Sequence, residues 1–146
     1  MSESLKSRLR DDLREARKKR EKLRTLVLST TLSELRNREI EIGEEADDQE
    51  ALSVIARAVK QRKDAASQMR SGGRDDLAEK EESEARMLSE YLPEALSEEE
   101  VRKMVREIME TGVQQMGPIM GALMPRLKGR FDGKEANRIV REVLSE

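Results

Sequence analysis

Apolar residues recur along this chain at spacings of three and four. Leu5, Leu9, Leu13 and Ala16 repeat in that way, as do Leu52, Ile55, Ala56, Val59, Ala66 and Met69. Val101, Met104, Val105, Ile108 and Met109 form another such set, and Ala136, Ile139, Val140, Val143 and Leu144 the last. This period keeps one face of a 3.6-residue helix apolar, whereas a half-buried strand would alternate. The alternative is further closed by composition: Tyr91 and Phe131 are the only aromatic residues, β-branched runs are missing, and 41% of residues are charged. Ala, Leu, Glu, Lys and Arg dominate, all good helix formers. The expected fold class is all-α.

Glycine and proline divide the pattern into segments. Ser2 or Ser4 can cap the first helix, and the run Arg17-Lys18-Lys19-Arg20 suits its C-terminus, although it could also touch phosphate. A second helix is expected from about Lys22 to Ile42, stopped by Gly43. Leu23, Leu26, Val27, Leu28, Leu32, Leu35, Ile40 and Ile42 spread around much of its circumference, predicting a helix enclosed by others. Asp47 or Asp48 caps the third, with Lys60, Arg62, Lys63 and Asp64 on its wet face, and Ser71-Gly72-Gly73 ends it. The fourth, from about Asp75 to Tyr91, carries Leu77, Ala85, Leu88 and Leu92 at helical spacing, with Glu81 and Glu84 intruding, and stops before Pro93. The third and fourth are expected to form a long αα-hairpin.

Beyond Pro93 the signals change. Ser97 and Glu100 read as a capping box with Leu96 stapled to Val101, and Gly112 closes that helix. Met116, Met120, Leu123, Met124 and Leu127 mark the next, with Pro118 in its first turn and Pro125 expected to end or kink it. Gly117 and Gly121 would permit close helix approach. Gly129 stands where a left-handed cap is wanted, and Asp132 with Glu135 predicts a second capping box. The expected division is an N-terminal set of four helices, residues 1–94, and a small three-helix C-terminal domain, residues 95–146. Five of the eight methionines lie between Met104 and Met124. They fall on the apolar stripes and read as core filling rather than as an adaptable groove.

Chemistry is constrained by what is missing. With no His and no Cys there is neither the usual neutral-pH general base nor a thiolate. No phosphate-cradling GxxxxGK[ST], no GxGxxG and no GxSxG motif occurs. Carboxylate runs such as Glu98-Glu99-Glu100 and Glu81-Glu82 suit acidic first turns better than a cation site. No catalytic residue, metal or cofactor is expected. No stretch approaches the ~20 apolar residues of a membrane span, and the N-terminus lacks a signal-peptide core, so the expectation is a soluble, cytoplasmic protein with no membrane partner.

Charge is segregated along the chain: residues 1–25 carry a net +5, residues 34–50 −6 and residues 75–100 −9. The clearest cationic object is the elbow after the sixth helical segment. Arg126, Lys128, Arg130, Lys134, Arg138 and Arg141 surround it, against Asp132 and Glu135. Cations on a rigid helical turn, with backbone N–H groups near Gly133, suit phosphate contacts. The same residues could also serve only to keep a small domain soluble. Phe131, beside the turn, reads as a plug for the small core.

The run MGALMPRLKGRFDGKEANRIV in this region resembles the C-terminal signature of the GatB/YqeY family, and the likeness continues through VKQRKDAASQM, GGRDDLAEKEESE and YLPEALSEEE. That signature is shared between small stand-alone proteins and the tail of the B subunit of the glutamine-dependent tRNA amidotransferase. The resemblance implies a non-catalytic helical adaptor whose C-terminal part engages tRNA or a tRNA-bearing enzyme. Arg126, Lys128, Arg130, Lys134 and Arg138 would make the phosphate contacts, with Gly129 and Gly133 shaping the turn. It also implies that a carbon–nitrogen ligase label with glutamine as amido-N-donor would describe the larger enzyme, whose activating and amidase domains are not present here. Two rivals remain: a protein–protein module with no RNA role, docking through its acidic 75–100 face and the 47–92 hairpin, and an accessory to such a ligase; no DNA partner is expected.

Overall fold

The computed structural model describes residues 3–146. Among them are seven helices and no strands, so the chain is all-α. It divides into two compact units, Met1–Leu92 and Pro93–Glu146.

The first unit holds α1 (Leu5–Lys18), α2 (Lys22–Ile42), α3 (Asp48–Ser71) and α4 (Asp75–Ser89). The Ser4 hydroxyl accepts from the Ser7 N–H at 3.1 Å and starts α1; Ser2 lies outside the described residues. Asp47 caps α3 by accepting from the Glu50 N–H at 2.9 Å. Asp48 does something else: its carboxylate accepts from the Leu5 N–H at 2.9 Å, tying the starts of α1 and α3 together. Gly43 and Gly73 take left-handed φ of 73° and 76° at the two turns where a side chain would be strained. Leu9, Val27, Leu28, Leu35, Ile55, Ala58 and Leu88 are fully enclosed in one core. Tyr91 is buried against it, donates its hydroxyl to the Asp12 carboxylate, and lies 5.1 Å beneath the Arg8 guanidinium. Burial first, and the Asp12 bond second, push its phenol up.

Three expectations are corrected in this unit. α2 is not enclosed: Leu26 is 54% and Ile40 74% exposed, because its neighbours bury the stripe of Val27, Leu28, Thr31 and Leu35, with Leu23 and Leu32 partly covered beside it. Thr31 sits in that stripe because its hydroxyl donates to the Val27 carbonyl at 2.8 Å, which removes the penalty of burying it. Leu77 is exposed, and Ala78 takes the buried position at the start of α4. Arg62, assigned to a wet face, is nearly buried with Glu84 across the α3–α4 hairpin.

The second unit packs α5 (Glu98–Glu110), α6 (Met116–Leu127) and α7 (Gly133–Leu144) around a single core. Val101, Val105, Ile119, Leu123, Leu127, Ala136, Ile139 and Val140 are inaccessible, while Met104, Met109, Met116, Met120, Met124, Leu96 and Phe131 pack half-buried around them. The Ser97 capping box forms in both directions, at 3.1 Å and 2.9 Å. The Asp132 box does not: the Asp132 side chain does not cap the first turn, and Glu135 instead accepts from Arg138. Pro125 does not end α6; it sits inside the helix, which runs on to Leu127. The carbonyl a helical N–H at 125 would serve belongs to Gly121, which is exposed, so solvent can replace that bond. Gly117 and Gly121 face open space, with nothing within 4 Å of an added Cβ, so they mediate no close approach.

Candidate nucleic-acid interface

The elbow is built by the end of α6 and the start of α7. The Leu127 carbonyl accepts from the N–H groups of both Arg130 (2.7 Å) and Phe131 (3.1 Å), closing the turn around Gly129 at φ 75°. α7 then starts at Gly133, where an added Cβ would sit 3.4 Å from Met124 Cε. The turn is further fixed by the segment leading into α5: the Leu96 N–H donates to the Arg130 carbonyl at 2.9 Å, and Arg130 Nε donates to the Glu94 carbonyl at 3.2 Å.

The five cations singled out from the sequence therefore stand in different circumstances. Arg126, Lys128 and Lys134 are exposed and form no ion pair among the described residues. Arg130 is half-buried and spends its Nε on Glu94. Arg138 is engaged by three carboxylates: Glu135 at 2.8 Å, Glu142 at 2.6 Å and Glu98 at 3.1 Å. These bonds, that to Glu135 foremost, hold its guanidinium firmly protonated.

Sequence reasoning missed the partners of that arginine. Arg102 of α5 reaches Glu98 at 2.8 Å and also Glu142 of α7, so two arginines and two glutamates interlock across the helix pair. Arg102, and after it Arg138, hold the carboxyls of Glu98 and Glu142 below their ordinary value. The signal available in the sequence was the four-residue spacing of Glu98 with Arg102 and of Arg138 with Glu142. Nothing local reveals that the two pairs face each other.

Among the described residues no group of three or more carboxylates could hold a metal ion, and no helix is long and apolar enough to cross a membrane. What the elbow offers chemically is fixed positive charge beside the N–H groups of a helix start.

Fold and elbow together define a small two-unit helical protein with a cationic turn in its second unit. Residues 6–144 match the family model of Yqey-like proteins, and the chain belongs to the YqeY family. It is 30% identical over 127 residues to the altered inheritance of mitochondria protein 41 of Clavispora lusitaniae, covering 85% of this chain and 74% of that one. The Kluyveromyces lactis protein of the same name is 32% identical over 130 residues, covering 86% and 68%. Both are named as mitochondrial. A glutamyl-tRNA(Gln) amidotransferase subunit of Thermococcus sibiricus is 39% identical over 66 residues, which is 45% of this chain but 10% of that polypeptide. The chain thus spans a small fraction of that much longer relative.

Proposed function

We propose that this protein is a non-catalytic helical adaptor whose second unit engages tRNA, or an amidotransferase carrying it, through the α6–α7 elbow. The observation that carries this reading is the exposure of Arg126, Lys128 and Lys134 around a hydrogen-bonded turn, with no ion pair among the described residues. Elsewhere in this unit Arg102, Arg106 and Arg138 are paired with carboxylates. Free cations on a rigid turn contact phosphates without reading bases, and structured RNA is recognised largely through shape and backbone. Gly129 and Gly133 shape the turn, Arg130 braces it, and Arg138 orients α7 through its carboxylates.

Similarity to part of a protein named for glutamyl-tRNA(Gln) supports the association with tRNA. The chain itself, in this reading, takes no part in the amidotransferase chemistry for which that relative is named. In this reading the protein works in the cytoplasm, whereas the fungal relatives are named as mitochondrial. Titration of tRNA against the wild type and Arg126→Glu/Lys128→Glu/Lys134→Glu tests it. Binding lost in a folded variant is expected; equal binding would remove the elbow from the reading.

A further inference from the structure

α2 carries side chains for two opposite faces. Val27, Leu28, Thr31 and Leu35 are buried on the core side of the first unit. On the other side stand Leu26, Thr30, Ser33, Asn37 and Ile40, all exposed and spaced four, three, four and three residues apart. At 3.6 residues per turn these five share an arc of about 80°. None of them is charged, in a chain in which 41% of residues are. Every exposed position of α1, α5 and α7, by contrast, is charged. α6 also has an uncharged outer face, but one of Gly117, Pro118, Gly121, Ala122 and Pro125, which offers no large side chain. Leu26 and Ile40 are more than half exposed, and Ile40 is the most exposed large apolar side chain among the described residues. The apolar spread that makes α2 read as an enclosed helix therefore has a second half that nothing in this chain covers.

The spacing averages three and a half residues, the repeat with which two helices wind around each other. Two features single out the α2 of another copy as the second helix. Parallel, in-register pairing sets like against like: Leu26 on Leu26, Ile40 on Ile40, and Asn37 on Asn37, whose amide supplies both donor and acceptor. The antiparallel arrangement would set Asn37 against Leu26. An asparagine at such a seam position fixes register and strand number at a cost in stability. The flanking charges are complementary as well. Across a parallel pair, position 36 of one helix faces position 41 of the other, and these are Arg36 and Glu41. Arg36 is exposed and forms no ion pair among the described residues. Glu41 meets Arg38 at 3.0 Å, and Arg38 keeps Glu50 at 3.0 Å when Glu41 turns outward.

We propose that the outer face of α2 is a self-association surface, on which a second copy of this chain seats its own α2 in parallel about a two-fold axis. The surface belongs to the first unit and stands independently of the tRNA reading. From Leu26 to Ile40 the helix rises about 21 Å. Thr30, Ser33 and Asn37 add little apolar burial between the two ends, so the dimer is weak and concentration-dependent.

Sedimentation velocity of the full chain from about 10 μM to about 1 mM is expected to show monomer giving way to dimer. Leu26→Glu/Ile40→Glu removes the two large apolar contacts without touching the core. Its melting temperature at low concentration should stay that of wild type, while association weakens about tenfold or more. Because the chain has no Cys, a single Ser33→Cys reports the geometry. With oxidised glutathione it should form a disulfide-linked dimer. Gln68→Cys, on the exposed side of α3, should not, since bridging needs Cα atoms within about 7 Å. A wild type still monomeric at the highest concentration would overturn the proposal and leave the face to a helix of another protein. Wild-type association in Leu26→Glu/Ile40→Glu would overturn it too, as would a Ser33→Cys that cross-links no faster than Gln68→Cys. Association should survive Arg126→Glu/Lys128→Glu/Lys134→Glu; its loss there would move the contact to the elbow and sink the α2 surface.

Discussion

Arg62 Nε lies 3.4 Å from the Glu84 carboxylate across the α3–α4 hairpin, with both side chains nearly buried and no hydrogen-bond acceptor for that nitrogen. Arg62 does donate from its other end, to the Ala58 carbonyl at 3.1 Å. Burial, and then Glu81, push the Glu84 carboxyl above its ordinary value of 4.5, against the opposing pull of Arg62. The pair is thus one in which desolvation outweighs attraction.

A pH dependence follows. The folded protein holds the Glu84 proton more tightly than the unfolded chain does. Its contribution to stability is full below the unfolded value and is lost as pH rises through the folded one. Glu84→Gln keeps the neutral shape at every pH. The variant is expected to match wild type in thermal stability at pH 4 and to gain on it as pH rises to 7. Parallel melting curves measure the difference, and a variant that loses ground with rising pH would contradict the assignment.

The acid limb has the opposite sign and a different origin. Glu98 and Glu142 are held below 4.5 by Arg102 first and Arg138 second. Stability from these carboxylates is present above the unfolded value and is lost as pH falls through the folded one. Arg102→Gln/Arg138→Gln should flatten the fall in melting temperature below pH 4.5 and leave the slope at neutral pH unchanged. The groups are on the surface, so high salt should shrink the effect.

Two glycines of the second unit should respond in opposite directions. Gly129 has φ 75°, and Gly129→Ala is expected to destabilise by about 1 kcal/mol or more. Gly121 lies inside α6 with open space around it, and Gly121→Ala is expected to stabilise by roughly 0.5–1 kcal/mol. Urea unfolding of the two variants beside wild type reads both signs.

The second unit is small, and its core residues carry a correspondingly large share of its stability. Ile139 is fully buried among Val101, Leu123 and Leu127 in that cluster. Ile139→Ala should cost about 2–5 kcal/mol, a large part of what so small a unit can hold. Loss of its methyl dispersion by NMR while the Leu9–Leu28–Ile55 core keeps its own would bear this out.

What the sequence made legible was whatever is written in neighbouring residues. The limits of α2, Lys22 and Ile42, follow from Gly43 and the apolar spacing, and the Ser97–Glu100 box follows from a four-residue motif. Long-range pairing left no such trace. Glu84 looked like an intrusion and Arg62 like a solvated cation until the hairpin brought them together, and Asp12 meets Tyr91 across 79 residues. Asp132 and Glu135 carry the spacing of a capping box, but Arg138, three residues on, draws off the glutamate. At the elbow, the sequence identified the charges but not their availability: it could not separate Lys128 and Lys134, which are open, from Arg138, which three carboxylates engage.

The most direct measurement is the salt dependence of tRNA binding, with wild type beside Arg126→Glu/Lys128→Glu/Lys134→Glu and circular dichroism to verify the fold. Saturable wild-type binding that weakens steeply with salt is predicted. The triple variant should bind weakly, with a slope of log K against log salt shallower by about 3, one for each lost phosphate contact. A folded triple variant with wild-type affinity and slope, or a wild type that binds no tRNA at low salt, would contradict the account.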